Sequence, residues 1–241
     1  MSDLLIENRG SVRVFTMNRP EKRNALNQAL TQSLLDALRS ADADESVHSI
    51  VLTGAGQGFC AGADLSEFKD LTPDQPDLVN LRAELTKALQ GIFFGLSKPV
   101  VTAINGAAMG GGAGLALAGD LAVMASTATL GYPELKHGIV AAVVMANLVR
   151  NVGRKAAFEL VATAEPLSAE RALALGMVNR VTAPERLMPD ALELADKLAA
   201  FNPAAMAATK QLFYRAVDVP FAQALEEGRD VNKRMRGFRP R

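Results

Sequence analysis

Three consecutive glycines, Gly110 to Gly112, stand directly before an apolar run in the stretch AAMGGGAGLALAGD (107–120). Glycine inside a regular element costs roughly 0.5–1 kcal/mol relative to alanine. Gly110, Gly111, Gly112 and Gly114 are therefore affordable together only where something approaches the backbone closely, either another segment or a ligand. The run that follows holds no ionisable side chain before Asp120. Whatever chemistry takes place there uses backbone from this segment and side chains from elsewhere.

The glycines sit in a repeating strand–turn–helix context. SVRVFTM (11–17) alternates like a strand, and SIVLTG (49–54) and KPVVTAING (98–106) read as buried strands. LAVMAS (121–126), TATLG (127–131) and a short VNRV (178–181) complete the predicted strands. Helical spacing appears at 27–42, with Asn27 as N-cap, and at 78–96. Further helices are predicted from Gly111 to Leu117 and at 141–150, 154–162, 169–175, 189–200, 203–216 and 221–235. Strands and helices interleave in the first half and helices dominate the last third, which predicts an α/β core with a helical C-terminal region.

Composition excludes several classes. Lys plus Arg and Asp plus Glu number 26 each, so no global field recruits nucleic acid or an acidic membrane. With 49% hydrophobic residues in a 241-residue chain, a real core is expected. The N-terminal MSDLLIENRG is too polar for a signal peptide, and no apolar window reaches the length of a membrane span. The single cysteine, Cys60, fits a reducing compartment, and a cytoplasmic protein is expected.

Two Gly-rich turns follow predicted strands: TGAGQGFCAGADL (53–65) and NGAAMGGGAGL (105–115). Neither fits a dinucleotide fingerprint, because Phe59 and Leu115 occupy the places of required glycines, and neither ends in Gly-Lys-Ser/Thr. Two readings stay open from spacing alone. The glycines permit tight helix–strand packing, or the turns offer backbone N–H groups to a developing negative charge. The first donors of a helix lack intrahelical partners and the helix dipole favours an anion there, so Gly111 and the small Ala63 are candidate donors of an oxyanion hole.

FCAGADL (59–65) and MGGGAGLALAGD (109–120) resemble the two signature loops of the crotonase superfamily, the enoyl-CoA hydratase/isomerase family. NRPEKRNALN (18–27), GYPELKHGIVAA (131–142) and LSAERALALGMVNRV (167–181) resemble it at matching distances, so the likeness spans essentially the whole chain. It implies an α/β crotonase fold: a spiral of ββα units over 1–185 and a helical trimerisation region over 186–241. It implies an acyl-CoA thioester as substrate, no separate cofactor, and a homotrimer or a hexamer built as a dimer of trimers. By position, the N–H groups of Ala63 and Gly111 become the donors for a thioester enolate.

The same resemblance places acid/base groups. In hydratases of the family a glutamate stands three residues after the second donor, where this chain has Gly114. The other family glutamate corresponds to Glu134 of GYPEL. Some relatives carry an aspartate further along, near Ala142, where AAVV offers no carboxylate. Glu134 alone matches, and a lone base suits a shift of the double bond from the 3- to the 2-position, since one group removes the C2 proton and returns it at C4. Enoyl-CoA isomerase is the first expectation. Hydratase or another acyl-CoA reaction is the alternative, and a catalytically silent acyl-CoA-binding member a further one.

Lys22, Arg23, Ala25 and Leu26 match the family segment that lines the CoA moiety, and Ala61, Asp64, Leu65 and Gly110 flank the two donors as further substrate-binding candidates. Asp64 also suits a capping role after the first loop. His137 could share a face with Glu134 but reads more simply as a surface residue, as does His48. Cys60 has no histidine near it in sequence and reads as a buried inert thiol. Two histidines and one cysteine far apart support no metal site. The basic end RDVNKRMRGFRPR (229–241) reads either as a phosphate contact or as a solvated tail.

Overall fold

The computed structural model describes residues 2–69 and 71–238. Ten strands appear in chain order. The first five are β1 (Leu4–Arg9), β2 (Val12–Met17), β3 (Ser49–Gly54), β4 (Gly58–Cys60) and β5 (Val100–Ile104). The others are β6 (Ala107–Met109), β7 (Leu121–Ala125), β8 (Thr129–Gly131), β9 (Leu167–Ser168) and β10 (Arg180–Thr182). They divide into a six-stranded sheet, β1-β2-β3-β5-β7-β10, and a four-stranded one, β4-β6-β8-β9.

The large sheet carries the core. All residues of β3 and β5 are buried, as expected of central parallel strands covered on both faces. Its pairs are parallel except for the antiparallel β1–β2 edge. Strand β1 was not predicted. Only Leu4 on it is buried, so it shows no inward alternation and is held by its ladder to β2. Of the small sheet only β8 was predicted: β4 and β6 have three residues each and lie within segments that read as Gly-rich turns, and β9 has only two.

The helices are α1 (Gln28–Ala43), α2 (Pro76–Gly91), α3 (Gly111–Ala118), α4 (Ala142–Thr163), α5 (Ala169–Ala174), α6 (Leu187–Ala199), α7 (Pro203–Asp218) and α8 (Phe221–Arg234). Asn27 caps α1 by accepting from the Leu30 N–H at 2.8 Å, as predicted. The two helices expected at 141–150 and 154–162 are the halves of α4, interrupted at Gly153, whose φ of +75° and ψ of 169° are not helical. The helix predicted over 78–96 instead ends at Gly91 and tightens into a 3₁₀ turn through Gly95.

Helix α6 packs against β3, β5 and β7, with Ser49 donating to the Ala195 carbonyl. Helix α7 is tied to the sheet by Lys210, whose ammonium, almost wholly buried, pairs with Asp120 at 2.7 Å. Tyr214 donates to the other oxygen of the same carboxylate, and the Val100 N–H donates to Asp120 as well. Among the described residues no helix is long and apolar enough to cross a membrane.

Candidate active site

Strands β4, β6 and β8 run parallel and adjacent, with Ala108 paired to both Cys60 and Leu130. Their C-terminal ends therefore open at one edge, where ligands of parallel sheets commonly bind. Ala63 lies just beyond β4, Gly111 just beyond β6 and Glu134 just beyond β8. The topology brings together three sequence-predicted residues spread over some seventy positions of chain.

Each glycine of the triplet meets a different neighbour. Gly110 has φ +53° and ψ −118°, a conformation open to glycine, and its N–H donates to the Gly131 carbonyl at 2.8 Å. A side-chain carbon there would stand 2.8 Å from Glu134 Oε1. One on Gly111 would stand 3.7 Å from Gly62 Cα and 3.8 Å from the Ala63 nitrogen. One on Gly112 would collide with the Cys60 carbonyl. Gly62, at φ +88°, reciprocates, since a side chain there would reach within 2.7 Å of the Met109 carbonyl oxygen. The two loops touch through bare backbone, so close packing and donor exposure turn out to be one feature.

Neither the Ala63 nor the Gly111 N–H donates to another group among the described residues. Both residues are partly exposed, and Gly111 opens α3. Two free donors, one at the positive end of a helix, can together hold an oxyanion. Ala63 is fixed by a strap: the Leu26 N–H donates to the Gly62 carbonyl at 2.7 Å, and the Asp64 N–H to the Leu26 carbonyl at 3.1 Å.

The Glu134 carboxylate begins a 3₁₀ turn through His137 and is half-buried. Its Oε2 is fully enclosed and has no hydrogen-bond partner, as is the hydroxyl of Tyr132. Burial raises the Glu134 pKa above its ordinary value, opposed by a backbone hydrogen bond and by the charge of His137. His137 itself is exposed.

Gly114 faces a filled space. A side-chain carbon there would come 2.5 Å from both Gln90 Oε1 and Val144 Cγ1. Ala142, at the start of α4, is exposed and brings no carboxylate.

The remaining candidates separate by role. Ala25 and Leu26 are buried in the strap, while Lys22 and Arg23 are exposed and join no ion pair among the described residues. Ala61 and Leu65 are exposed beside the first loop. Asp64 is engaged by the loop itself: it accepts from the Ser66 hydroxyl at 2.7 Å and pairs with Arg19 at 3.0 Å. These contacts, Ser66 first, hold its pKa below the usual value. Cys60 is fully buried, and burial pushes its thiol up to about 12. His48 is half-buried rather than a plain surface residue, with Nδ1 3.1 Å from the Ala199 carbonyl oxygen. In the basic end, Arg229 pairs with acids of its own helix, and residues 239–241 lie outside the described residues.

Sequence reasoning missed the residues that hold the loops. Asn24 is completely buried and donates to the Ala55 and Gly58 carbonyls while accepting from the Arg19 N–H. Asn105 donates to the Gly56 and Gly58 carbonyls, and Arg82 donates to the Leu26 carbonyl. Gln90 donates to the Gly111 carbonyl at 2.9 Å. A signal existed only for Asn24 and Asn105, turn-forming residues in a loop before a predicted helix and at the end of a predicted strand.

A family model described as enoyl-CoA hydratase/isomerase matches residues 7–237. The chain is 44% identical to a putative enoyl-CoA hydratase of Thermus thermophilus over 207 residues, covering 85% of this chain and 81% of the other. It is 36% identical to the 2,3-dehydroadipyl-CoA hydratase of Escherichia coli, covering 96% and 89% respectively. The crystal structure of an enoyl-CoA hydratase from Mycobacterium smegmatis superposes with a TM-score of 0.92 at 34% identity, covering 98% of this chain and 91% of that one.

Proposed function

The chain belongs to the enoyl-CoA hydratase/isomerase family and has the crotonase fold, and from that premise we propose that it moves the double bond of a 3-enoyl-CoA to the 2-position with a single carboxylate base. The thioester oxygen accepts from the Ala63 and Gly111 N–H groups. Ionised Glu134 removes a proton from C2, and the electron pair moves through C1 onto that oxygen, giving a dienolate. The charge then returns through C2 and C3, and C4 takes the proton back from Glu134. The carboxylate ends as it began, and no water or redox partner is consumed.

One observation carries the choice of reaction: the space beside Gly114 is filled by Gln90 and Val144, so no carboxylate stands there. Burial at Glu134 supports the role of base, because a raised pKa brings a carboxylate nearer neutrality and strengthens it. Each oxyanion donor is typically worth about 10²–10³ in rate. Lys22 and Arg23 would face the CoA phosphates, with the Ala25 and Leu26 backbone near the adenine.

The names of the relatives favour a second reading, hydration of 2-enoyl-CoA, with Glu134 alone activating water. Mass spectrometry of a panel of enoyl-CoAs in D₂O separates the two. Isomerisation with deuterium entering C2 or C4 is expected. Hydration well above isomerisation would establish the second reading, and binding without turnover would leave a silent member.

The proposal extends to assembly in multiples of three. Phe158, Phe213 and Phe221 expose large apolar side chains of the kind a second copy covers. Light scattering at micromolar concentration is expected to give a multiple of three protomers, and a monomer would contradict this.

A further inference from the structure

Gln90 lies in the last turn of α2, is only 8% exposed and is bound to the first turn of the helix whose N-terminus carries the proposed oxyanion donor. Its Nε2 donates to the Gly111 carbonyl at 2.9 Å. Its Oε1 accepts nothing among the described residues and stands 2.5 Å from where a side chain on Gly114 would begin. A carbonyl in a first helical turn already serves the N–H four residues on. The bond from Gln90 is therefore additional, and it links α2 to the peptide group next to the Gly111 donor.

Two consequences follow from these contacts. The extra bond restricts tilting of the first α3 turn, and that tilt sets the direction of the Gly111 N–H. An oxyanion donor works only when it is aimed in advance at the position the charge will occupy. The carboxamide also fills the flank of α3 with a neutral group, so no ionisable side chain acts there.

We propose that Gln90 is a positioning residue for this site: it aims the Gly111 donor through the Gly111 carbonyl and keeps the adjoining flank of α3 uncharged. The inference rests on the oxyanion reading above. A Gly111→Pro enzyme of full activity would defeat that reading. An inactive Gly111→Pro beside an unaltered Gln90 variant would defeat only the role of Gln90.

The test uses the full chain with Gln90→Met, which keeps length and loses the donor, and Gln90→Glu, which keeps size and makes the donor depend on protonation. Gln90→Met is expected to lower kcat about five- to tenfold with KM within twofold. The carbonyl stretch of a bound acyl-CoA should move back toward its value in water. Gln90→Glu should acquire a second, basic limb in its pH–rate profile. The protonated carboxyl can donate to the Gly111 carbonyl as the amide does, and its ionised form cannot. A wild-type kcat, carbonyl frequency and single-limb profile in both variants would overturn the proposal. Wild-type protein supplies a measurement that needs no variant. The Gln90 side-chain amide resonance should shift when a 3-oxoacyl-CoA, an enolate mimic, binds. A resonance that stays in place would equally overturn the role.

Discussion

The Glu134 carboxylate lies directly against Gly110, with Oε1 2.8 Å from the point a side-chain carbon on that glycine would occupy. Gly110 also precedes the proposed Gly111 donor and is bonded to Gly131, from the strand that leads to Glu134. Gly110→Ala would therefore displace the proposed base and strain a backbone at φ +53°. Strain of that kind costs about 1–3 kcal/mol. We expect a lower melting temperature and a kcat reduced by at least about tenfold. A variant with native melting and turnover would contradict the contact.

Glu134→Gln is expected to reduce isomerisation by the ~10²–10⁴ typical of a lost general base. Its stability should move the other way. A carboxyl whose folded pKa is raised contributes stability that is fully present below its unfolded pKa and is lost as pH rises through the folded one. At neutral pH and above, Glu134→Gln should melt no lower than wild type, and the two curves should converge in acid. Wild-type turnover should rise with pH through the same ionisation. Calorimetry and a pH–rate profile check both signs.

Gly114→Glu does not produce a hydratase by itself, because Gln90 and Val144 already occupy the space. Overpacking of this type costs about 1–3 kcal/mol. Chemical denaturation should show that loss for the single substitution and partial recovery when Gln90→Ala is added. Hydration of 2-enoyl-CoA should appear only in the double variant. Hydration by a stable single variant would refute the steric argument.

Lys210→Met leaves the Asp120 carboxylate without its cation and α7 without its main anchor. Burial lowers the Lys210 pKa while Asp120 opposes that shift. Removing one partner of a buried pair costs about 3–5 kcal/mol, although Asp120 keeps its bonds from Tyr214 and the Val100 N–H. Denaturation midpoints should fall accordingly, and hydrogen exchange should rise first in α7.

The long elements were legible because their signals are periodic. The run Leu30, Leu34, Leu38 marks α1, and short, predominantly apolar and β-branched stretches mark β3 and β5. The candidate site was legible in part. Ala63, Gly111 and Glu134 could be named from a resemblance, but not the reason they meet. That reason is the parallel pairing of β4, β6 and β8, each three residues long, too short for alternation to register. Gln90 was invisible for another cause: a glutamine in an amphipathic helix carries no mark of burial until the partner helix is in place.

The proposed hole and the proposed base hang from separate strands of the small sheet, Ala63 and Gly111 beyond β4 and β6 and Glu134 beyond β8. The machinery is thus divided by chain segment. Residues 133–137 are the segment in which a different acid, base or none is expected to be introduced, within the space that Gly110 leaves for the side chain at position 134, while the strap from Arg23 to Leu26 holds the first loop. A protein engineer seeking new thioester reactions from this scaffold would leave positions 110–112 invariant and randomise the short turn after β8.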